Sequence, residues 1–280
     1  MTERESREAA EGAASMSDRF VTAAPSRRAP TAMKRRAHAQ TAVHQLRLLN
    51  GFELLHEDVP VRLPQSAQRL VAFLALHEQP QLRVRIACVL WTDMSEERAF
   101  ACLRSALWRV NRLGCGVVHC SGSRLELTPG VQIDVRDATE GARELLETSG
   151  STDPRSAVDA LLDAELLPDW YEDWVELERE QFRQLRLHAL EAACERYTSA
   201  GEHGAAVGCG LAAVAADPLR ESGHRAVIRA HLAEGNVHEA LRQYRSCRRL
   251  LRKGLGVAPS RELEELVERG RAGGNGTARA

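Results

Sequence analysis

Residues 95–112 read SEERAFACLRSALWRVNR, and this stretch decides how the first half of the chain is interpreted. Ser95 can cap a helix, and Glu96 and Glu97 fall in its first turn, where the helix dipole favours anions. At 100° per residue, the apolar side chains collect on one side of this helix and the arginines on the other. The stretch therefore predicts an amphipathic helix over residues 96–112 with a cationic outer face.

The outer face of this helix has the chemistry of a DNA recognition helix, because guanidinium groups bind phosphates and guanine edges and a hydroxyl makes adaptable contacts. The predicted inward side chains are Ala99, Phe100, Leu103, Ala106, Leu107 and Val110. The predicted outward side chains are Arg98, Ala101, Ser105, Trp108, Arg109 and Arg112, with Arg104 on the flank. The alternative is a solvated surface helix in which Trp108 packs against a neighbouring element.

The elements predicted around this helix follow the order of a winged helix-turn-helix, an α+β fold that we assign to residues 44–136. The predicted elements are strands over 46–52 and 59–63, helices over 64–76 and 84–90, the helix over 96–112, and strands over 117–120 and 124–127. Asn50-Gly51 and Ser121-Gly122-Ser123 are typical turn sequences. The final pair of strands would form the wing.

Four further residues are predicted to contact DNA from outside the recognition helix. Ser123 and Arg124 lie at the tip of the predicted hairpin, where they fit a wing that reaches a phosphate or the minor groove. Arg83 and Arg85 precede or begin the second helix, whose N-terminus favours phosphate. Salt bridges to Glu or Asp are the competing interpretation for these arginines.

The second half of the chain predicts helices throughout. Residues 166–174, LLPDWYEDW, supply Trp170 and Trp174 as core anchors before a long helix over 175–200, and a short linker helix is expected around 142–148. Gly201 recurs as Gly235 and Ala206 recurs as Ala240, both with the 34-residue tetratricopeptide period. We therefore predict a mainly α chain, with an all-α tetratricopeptide-like domain over residues 137–270.

The charge of the chain supports two unlike halves. The net charge is −1, but residues 1–136 hold 19 Lys+Arg and 14 Asp+Glu, and residues 137–280 hold 19 and 25. The basic half carries a net of +5, of which +3 lies in residues 1–43, and the acidic half carries −6. The acidic sum disfavours DNA binding in the second half, and binding by the first half depends on where its arginines point.

Several classes of protein are not indicated. The sequence has no phosphate-binding Gly loop, dinucleotide fingerprint, zinc helix or nucleophile elbow, so we predict no enzyme, no cofactor and no metal. No apolar run approaches the length of about 20 residues that a membrane span needs, and we expect a cytoplasmic protein with reduced thiols. Residues 1–43 and 271–280 are expected to be a disordered arm and tail.

Short motifs in both halves resemble the SARP family of bacterial antibiotic-regulatory activators, which pair an OmpR-type winged helix with a bacterial transcriptional activator domain. The motifs are VLW (89–91), LRSALWR (103–109), SRL (123–125), LLPDWYEDW (166–174), DPLRE (217–221), AEGN (233–236), EALRQY (239–244) and LGVAPS (255–260).

The resemblance implies an activator of secondary-metabolite gene clusters that associates with the nucleoid. Such a protein would bind promoter direct repeats of double-stranded DNA as a homodimer and engage RNA polymerase and its sigma factor. The alternative is a tetratricopeptide-type adaptor that binds a protein through its helical half and does not bind DNA.

Overall fold

The computed structural model describes residues 44–112, 114, 116–147 and 155–276, with side chains through residue 272. All of these residues belong to one compact unit. The arm predicted over residues 1–43 lies outside them. None of the described helices is both long and apolar enough to cross a membrane.

The strands lie in the first half of the chain and form two small sheets. They are β1 His44–Arg47, β2 Glu53–His56, β3 Val59–Pro60, β4 Gln81–Leu82, β5 Val118–Ser121, β6 Arg124–Leu127 and β7 Gln132–Ile133. The first sheet has the order β3-β2-β1-β7, with β7 parallel to β1, and the second has the order β4-β6-β5.

Helices make up most of the described chain, which confirms the prediction of a mainly α protein. They are α1 Gln65–Leu76, α2 Arg83–Leu90, α3 Glu96–Arg112, α4 Asp134–Leu146, α5 Arg155–Asp159, α6 Asp173–Ser199, α7 His203–Ala216, α8 Glu221–Ala233, α9 Val237–Gly254 and α10 Arg261–Gly276.

The predicted turn at Asn50-Gly51 and the predicted start of α1 are both present in the first half of the chain. Asn50 and Gly51 both have positive φ and reverse the chain between β1 and β2, so that Leu46 pairs with Leu54. Pro64 has an extended backbone and precedes α1, where its fixed φ suits the start of a helix. The apolar side of α1, including Leu70 and Phe73, is fully buried, and α1 packs against α2, α3 and β6.

Asp134 joins the two halves of the chain. Its carboxylate accepts hydrogen bonds from the backbone N–H groups of Leu48 at 2.9 Å, Leu49 at 3.0 Å and Val135 at 2.6 Å. Burial raises the pKa of Asp134, and these hydrogen bonds oppose that rise. The short helix predicted around 142–148 is present to Leu146 but starts earlier than predicted, because α4 begins at Asp134 directly after β7. Residues 136–137, where the sequence divides into two halves, lie in the first turn of α4.

An aromatic cluster packs the two halves together. Phe52 stacks on Trp170 with ring centroids 6.0 Å apart, and Phe73 meets Trp174 edge-on at 5.5 Å. Trp170 and Trp174 themselves lie 6.3 Å apart, and both pack against the buried core. The interpretation of these two tryptophans as core anchors is confirmed.

A polar network reinforces the same junction. The carboxylate of Glu172 accepts hydrogen bonds from Arg69 at 2.8 Å and from the indole N–H of Trp174 at 2.6 Å. Arg69 also donates to the carbonyl of Leu90 and lies over the Trp91 ring. Because Arg69 is on α1, Leu90 ends α2 and Glu172 immediately precedes α6, this network connects the first two helices to the long helix of the second half.

The 34-residue period corresponds to two equivalent helix ends. Gly201 has φ +77° and Gly235 has φ +84°, a conformation that favours glycine after a helix. The next N–H, of Glu202 or Asn236, bonds back five residues to the carbonyl of Tyr197 or His231, at 2.9 and 2.8 Å. Ala206 and Ala240 are both buried. The predicted equivalence of these positions is confirmed.

Buried thiols in this half behave as small apolar groups. Burial raises the pKa of Cys194 to about 12 and the pKa of both Cys209 and Cys247 to about 11, so these thiols stay protonated at neutral pH. Cys88 and Cys120, by contrast, are exposed.

The final helix is longer than predicted. The sequence predicts a tail from residue 271, whereas α10 continues to Gly276. Leu263 and Val267 are buried against α8 and α9, and Gly270 lies directly against Leu232. This docking supplies the stability that the Gly-rich end lacks by propensity, since adding a residue to a formed helix costs far less than starting one. Residues 277–280 lie outside the described chain.

Candidate nucleic-acid interface

The two sides of α3 follow the helical wheel. Ala99, Leu103, Ala106, Leu107 and Val110 are buried, and Phe100 is half-buried. The predicted outward set is exposed, as the following residues show: Arg98, Ala101, Arg104, Ser105, Trp108, Arg109 and Arg112. Because α1 and α2 cover the apolar side, the arginines face away from the protein.

The arginines of α3 are available to an external anion. Within the part of the chain that the structure describes, the side chains of Arg98, Arg104 and Arg109 make no hydrogen bond or ion pair. The only acids of this helix, Glu96 and Glu97, sit in its first turn. Arg109 and Arg112 occupy the last turn, where cations also stabilise the helix dipole.

Trp108 lies in the middle of this cationic face. Its side chain is 58% exposed, so the alternative in which a neighbouring element buries it does not hold in the described chain. The guanidinium of Arg112 stacks over the indole with its carbon 5.1 Å from the ring centroid. Ser105, one turn earlier, adds a hydroxyl, and the face thus combines cations, a flat apolar ring and an adaptable donor and acceptor.

The predicted wing residues form a second group beside the start of α2. The N–H of Arg83 donates to the carbonyl of Ser123 at 2.9 Å, and Leu82 pairs with Arg124 across β4 and β6. Arg124 also donates to the Pro80 carbonyl at 2.9 Å. Arg124 therefore ties the hairpin to the preceding loop, which leaves only its other N–H groups for an external partner.

The start of α2 offers unused donors. Leu82 is its N-cap and provides no side-chain hydrogen bond to the first turn. The Nε of Arg83 is buried without a partner among the described residues, and Arg85 is exposed. Neither arginine forms the salt bridge that the competing interpretation requires within that part of the chain. Two cations at a helix N-terminus suit a phosphate.

The structure therefore brings the predicted residues together in two groups. Six of them share the outer face of α3, and Arg83, Ser123 and Arg124 meet at the hairpin, with Arg85 nearby on α2. Among the described residues, no hydrogen bond or ion pair connects the two groups.

Sequence reasoning missed the residues that position α1 beneath this surface. Arg136 on α4 donates to the carbonyls of Ala75 at 2.9 Å and His77 at 3.1 Å, at the end of α1. Burial lowers the pKa of Arg136. No local pattern reveals this contact, because the donor lies about 60 residues from backbone acceptors that any residue could supply.

Comparisons with known proteins agree with this architecture. The family described as "Bacterial transcriptional activator domain" matches residues 134–269. The regulatory protein AfsR of Streptomyces coelicolor is 28% identical over 228 residues, which cover 74% of this chain and 22% of AfsR. AfsR of Streptomyces griseus is 27% identical over 239 residues, which cover 82% of this chain and 24% of AfsR. The chain thus spans about a quarter of the length of these relatives.

A solved structure shows the same fold. The Mycobacterium tuberculosis protein EmbR, determined in complex with a low-affinity phosphopeptide, matches with a TM-score of 0.66 and 20% identity. The match covers 82% of this chain and 65% of that one. Fold and sequence together define a protein that carries a bacterial transcriptional activator domain. The resemblance of the chain to the SARP family of regulators is confirmed by these matches.

Proposed function

We propose that this protein is a sequence-specific DNA-binding transcriptional activator of a secondary-metabolite gene cluster. Residues 44–136 would act as a winged helix-turn-helix, with α3 in the major groove. The observation that carries this proposal is the outer face of α3, where Arg98, Arg104 and Arg109 have no partner in the described chain and Trp108 is exposed.

The second group of residues would fix the position of the protein on the duplex. Arg83 and Arg85 at the start of α2 and Ser123 and Arg124 at the hairpin would contact phosphates, which set register without reading sequence. The order of elements supports this assignment, since the hairpin follows α3 and pairs back to the strand that precedes α2.

The helical domain, residues 137–270, would recruit RNA polymerase and its sigma factor. The protein would bind promoter direct repeats as a homodimer, so that two copies of a modestly basic surface act together. The match to a bacterial transcriptional activator domain and the likeness to regulatory proteins support this part of the proposal.

The proposal is tested by replacing Arg109 and Arg112 with Ala and measuring gel-shift affinity for the promoter of a neighbouring gene. An arginine that contacts a base contributes about 1–3 kcal/mol, so we expect the affinity of the double variant to fall by at least about tenfold. Arg143→Ala/Arg271→Ala removes two exposed arginines from other helices and serves as the matched control. Equal affinity of the two double variants for this promoter contradicts the placement of α3.

A specific observation also supports the adaptor alternative. Tyr171 is 84% exposed and Leu177 is 62% exposed near the start of α6, and exposed apolar groups of this size can anchor a protein partner. Binding to any duplex at about 50 mM salt discriminates the two functions, because even non-specific DNA binding is appreciable there. Absence of such binding favours the adaptor.

A further inference from the structure

The acidic half of the chain contains a strongly basic helix. Within α9, five arginines and Lys253 stand against one acid, Glu239. Residues 137–280 carry a net charge of −6, and without α9 they would carry −11. The acidic net charge that disfavours DNA binding in this half therefore conceals one strongly basic helix, because the acids of the other residues outweigh its cations.

The cations of α9 form one stripe on its outer side. Ala240, Cys247 and Leu251 are buried against α8 and α10 and define the inner side. Arg242, Arg245, Arg249 and Arg252 follow the spacing i, i+3, i+7, i+10, which places them within about 80° on a helix. Arg248 and Lys253 flank the stripe, and all six cations are exposed.

Internal partners neutralise little of this stripe. Arg242 pairs with Glu239 at 2.9 Å, and Arg249 has a long contact of 3.5 Å to the Ser246 hydroxyl. Within residues 155–276, the side chains of Arg245, Arg248 and Arg252 make no hydrogen bond or ion pair. The stripe therefore presents most of its donors outward.

The composition of the stripe indicates its partner. None of the large exposed apolar side chains of the described chain lies among the cations of α9, and Leu255, which is 57% exposed, follows them at the C-cap. The centre of a protein interface instead needs apolar or aromatic anchors. A membrane surface needs the apolar side of an amphipathic helix, and that side of α9 is buried in the core. A row of guanidinium groups without apolar anchors matches a row of phosphates.

We propose that the α9 stripe, Arg242, Arg245, Arg249 and Arg252, binds the phosphate backbone of duplex DNA outside the segment that α3 contacts. Contacts to phosphates are independent of base sequence, and the stripe lacks the exposed aromatic ring that α3 adds to its arginines. It is a second DNA contact, on a different domain from the proposed recognition helix, and the two can be tested separately.

The experiment uses the full chain with Arg242, Arg245, Arg249 and Arg252 all replaced by Gln, which keeps helix propensity. Binding to a mixed-sequence duplex is measured between about 50 and 200 mM salt. Each phosphate contact contributes about 0.9 to the slope of log affinity against log salt. We expect the slope of the variant to be shallower by about 3 and its low-salt affinity to fall at least about tenfold.

The matched control replaces four exposed arginines outside the stripe with Gln, so that net charge changes equally. These are Arg143, Arg261, Arg269 and Arg271. Circular dichroism and urea unfolding establish that both variants fold. Equal slopes for the two variants overturn the proposal. So does a stripe variant that loses affinity for polyglutamate and keeps its affinity for duplex, since the partner is then an acidic protein.

The double variant Arg109→Ala/Arg112→Ala separates this proposal from the proposed function. If α3 is misplaced, that variant keeps its promoter preference, while the stripe variant still shows the shallower slope. If the stripe is solvated surface, promoter preference depends on α3 and the slope does not respond to the stripe.

Discussion

The helices α3 and α9 have the same design and different surface chemistry. Each buries an apolar side in its own core and turns unpaired arginines outward. The outer face of α3 includes Ser105 and the exposed ring of Trp108, whereas the exposed side chains of α9 are the six cations and His238. Arginines that can contact guanine edges are present on both helices, but an exposed ring that can contact thymine methyls is present on α3 only.

This difference shows that charge alone does not distinguish a surface that recognises base sequence from one that binds only phosphates. The two helices also lie in halves of opposite net charge, +5 and −6. The direction in which arginines point, and the neutral groups beside them, carry more information than the sum for a domain. Substitutions on or beside each helix distinguish the roles of the two outer faces, and substitutions at the junction of the two halves test the packing that holds both helices in one unit.

The largest effect is expected at the junction that fixes both faces on one unit. Glu172→Gln leaves Arg69 without its counter-ion, and the two side chains are only 22% and 23% exposed. Breaking such a pair leaves an uncompensated charge, and we expect the free energy of unfolding in urea to fall by about 2 kcal/mol. Glu53→Gln breaks the exposed pair with Arg47 and should cost less than about 0.5 kcal/mol. Similar losses of unfolding free energy in the two variants would show that the junction pair contributes no more to stability than the exposed pair.

A smaller effect is expected when the ring is removed from the α3 face. Trp108→Ala deletes the apolar group that can contact thymine methyls, and should lower promoter affinity about tenfold. Non-specific affinity and the salt slope should stay near their parent values, because no phosphate contact is lost. Gel shifts with promoter and mixed-sequence duplexes measure both. A uniform loss on the two duplexes would assign Trp108 a structural role.

The helix end before α9 is expected to respond to a single methyl group. Gly235→Ala places a side chain at φ +84°, which costs about 1–2 kcal/mol. Gly208→Ala, inside α7 with open space around it, should instead stabilise by up to about 1 kcal/mol. In urea unfolding, the two variants change the free energy of unfolding in opposite directions if the left-handed turn is required. They change it in the same direction if α9 tolerates another connection.

The smallest effect is expected from pH, at the contact that anchors α9. His224 is 1% exposed, accepts a hydrogen bond from Gln243 at 2.9 Å and donates to the Pro218 carbonyl at 3.1 Å. Burial lowers the pKa of His224, so the unfolded chain takes up a proton at a higher pH than the folded chain. Stability should fall as pH drops below about 6.5.

The non-titrating variant His224→Gln isolates this contribution from the other histidines. We expect the melting temperature of His224→Gln to decline less than that of the parent between pH 7.5 and pH 5.5. Parallel declines would mean that His224 does not sense pH in the folded protein.

Much of the fold could be predicted because its signals are periodic or local. The wheel of α3 placed the buried and exposed side chains, and the 34-residue period identified Gly201 and Gly235 as equivalent helix ends. The outward orientation of the α3 candidates followed from the same periodicity. The α9 stripe has an equally regular spacing, but the acidic sum over residues 137–280 obscured it.

The sequence by itself determined the amphipathic faces and turn positions, because both depend on the helical repeat and on backbone preferences of a few adjacent residues. Only the tertiary structure showed that Asp134 starts α4 while binding the backbone that follows β1, that Arg69 meets Glu172 across 103 positions, and that Arg124 is partly committed to Pro80. These contacts join residues far apart in the chain, often through backbone carbonyls or N–H groups that every residue carries. Local patterns contain no record of such partners, which exist only once the elements have packed.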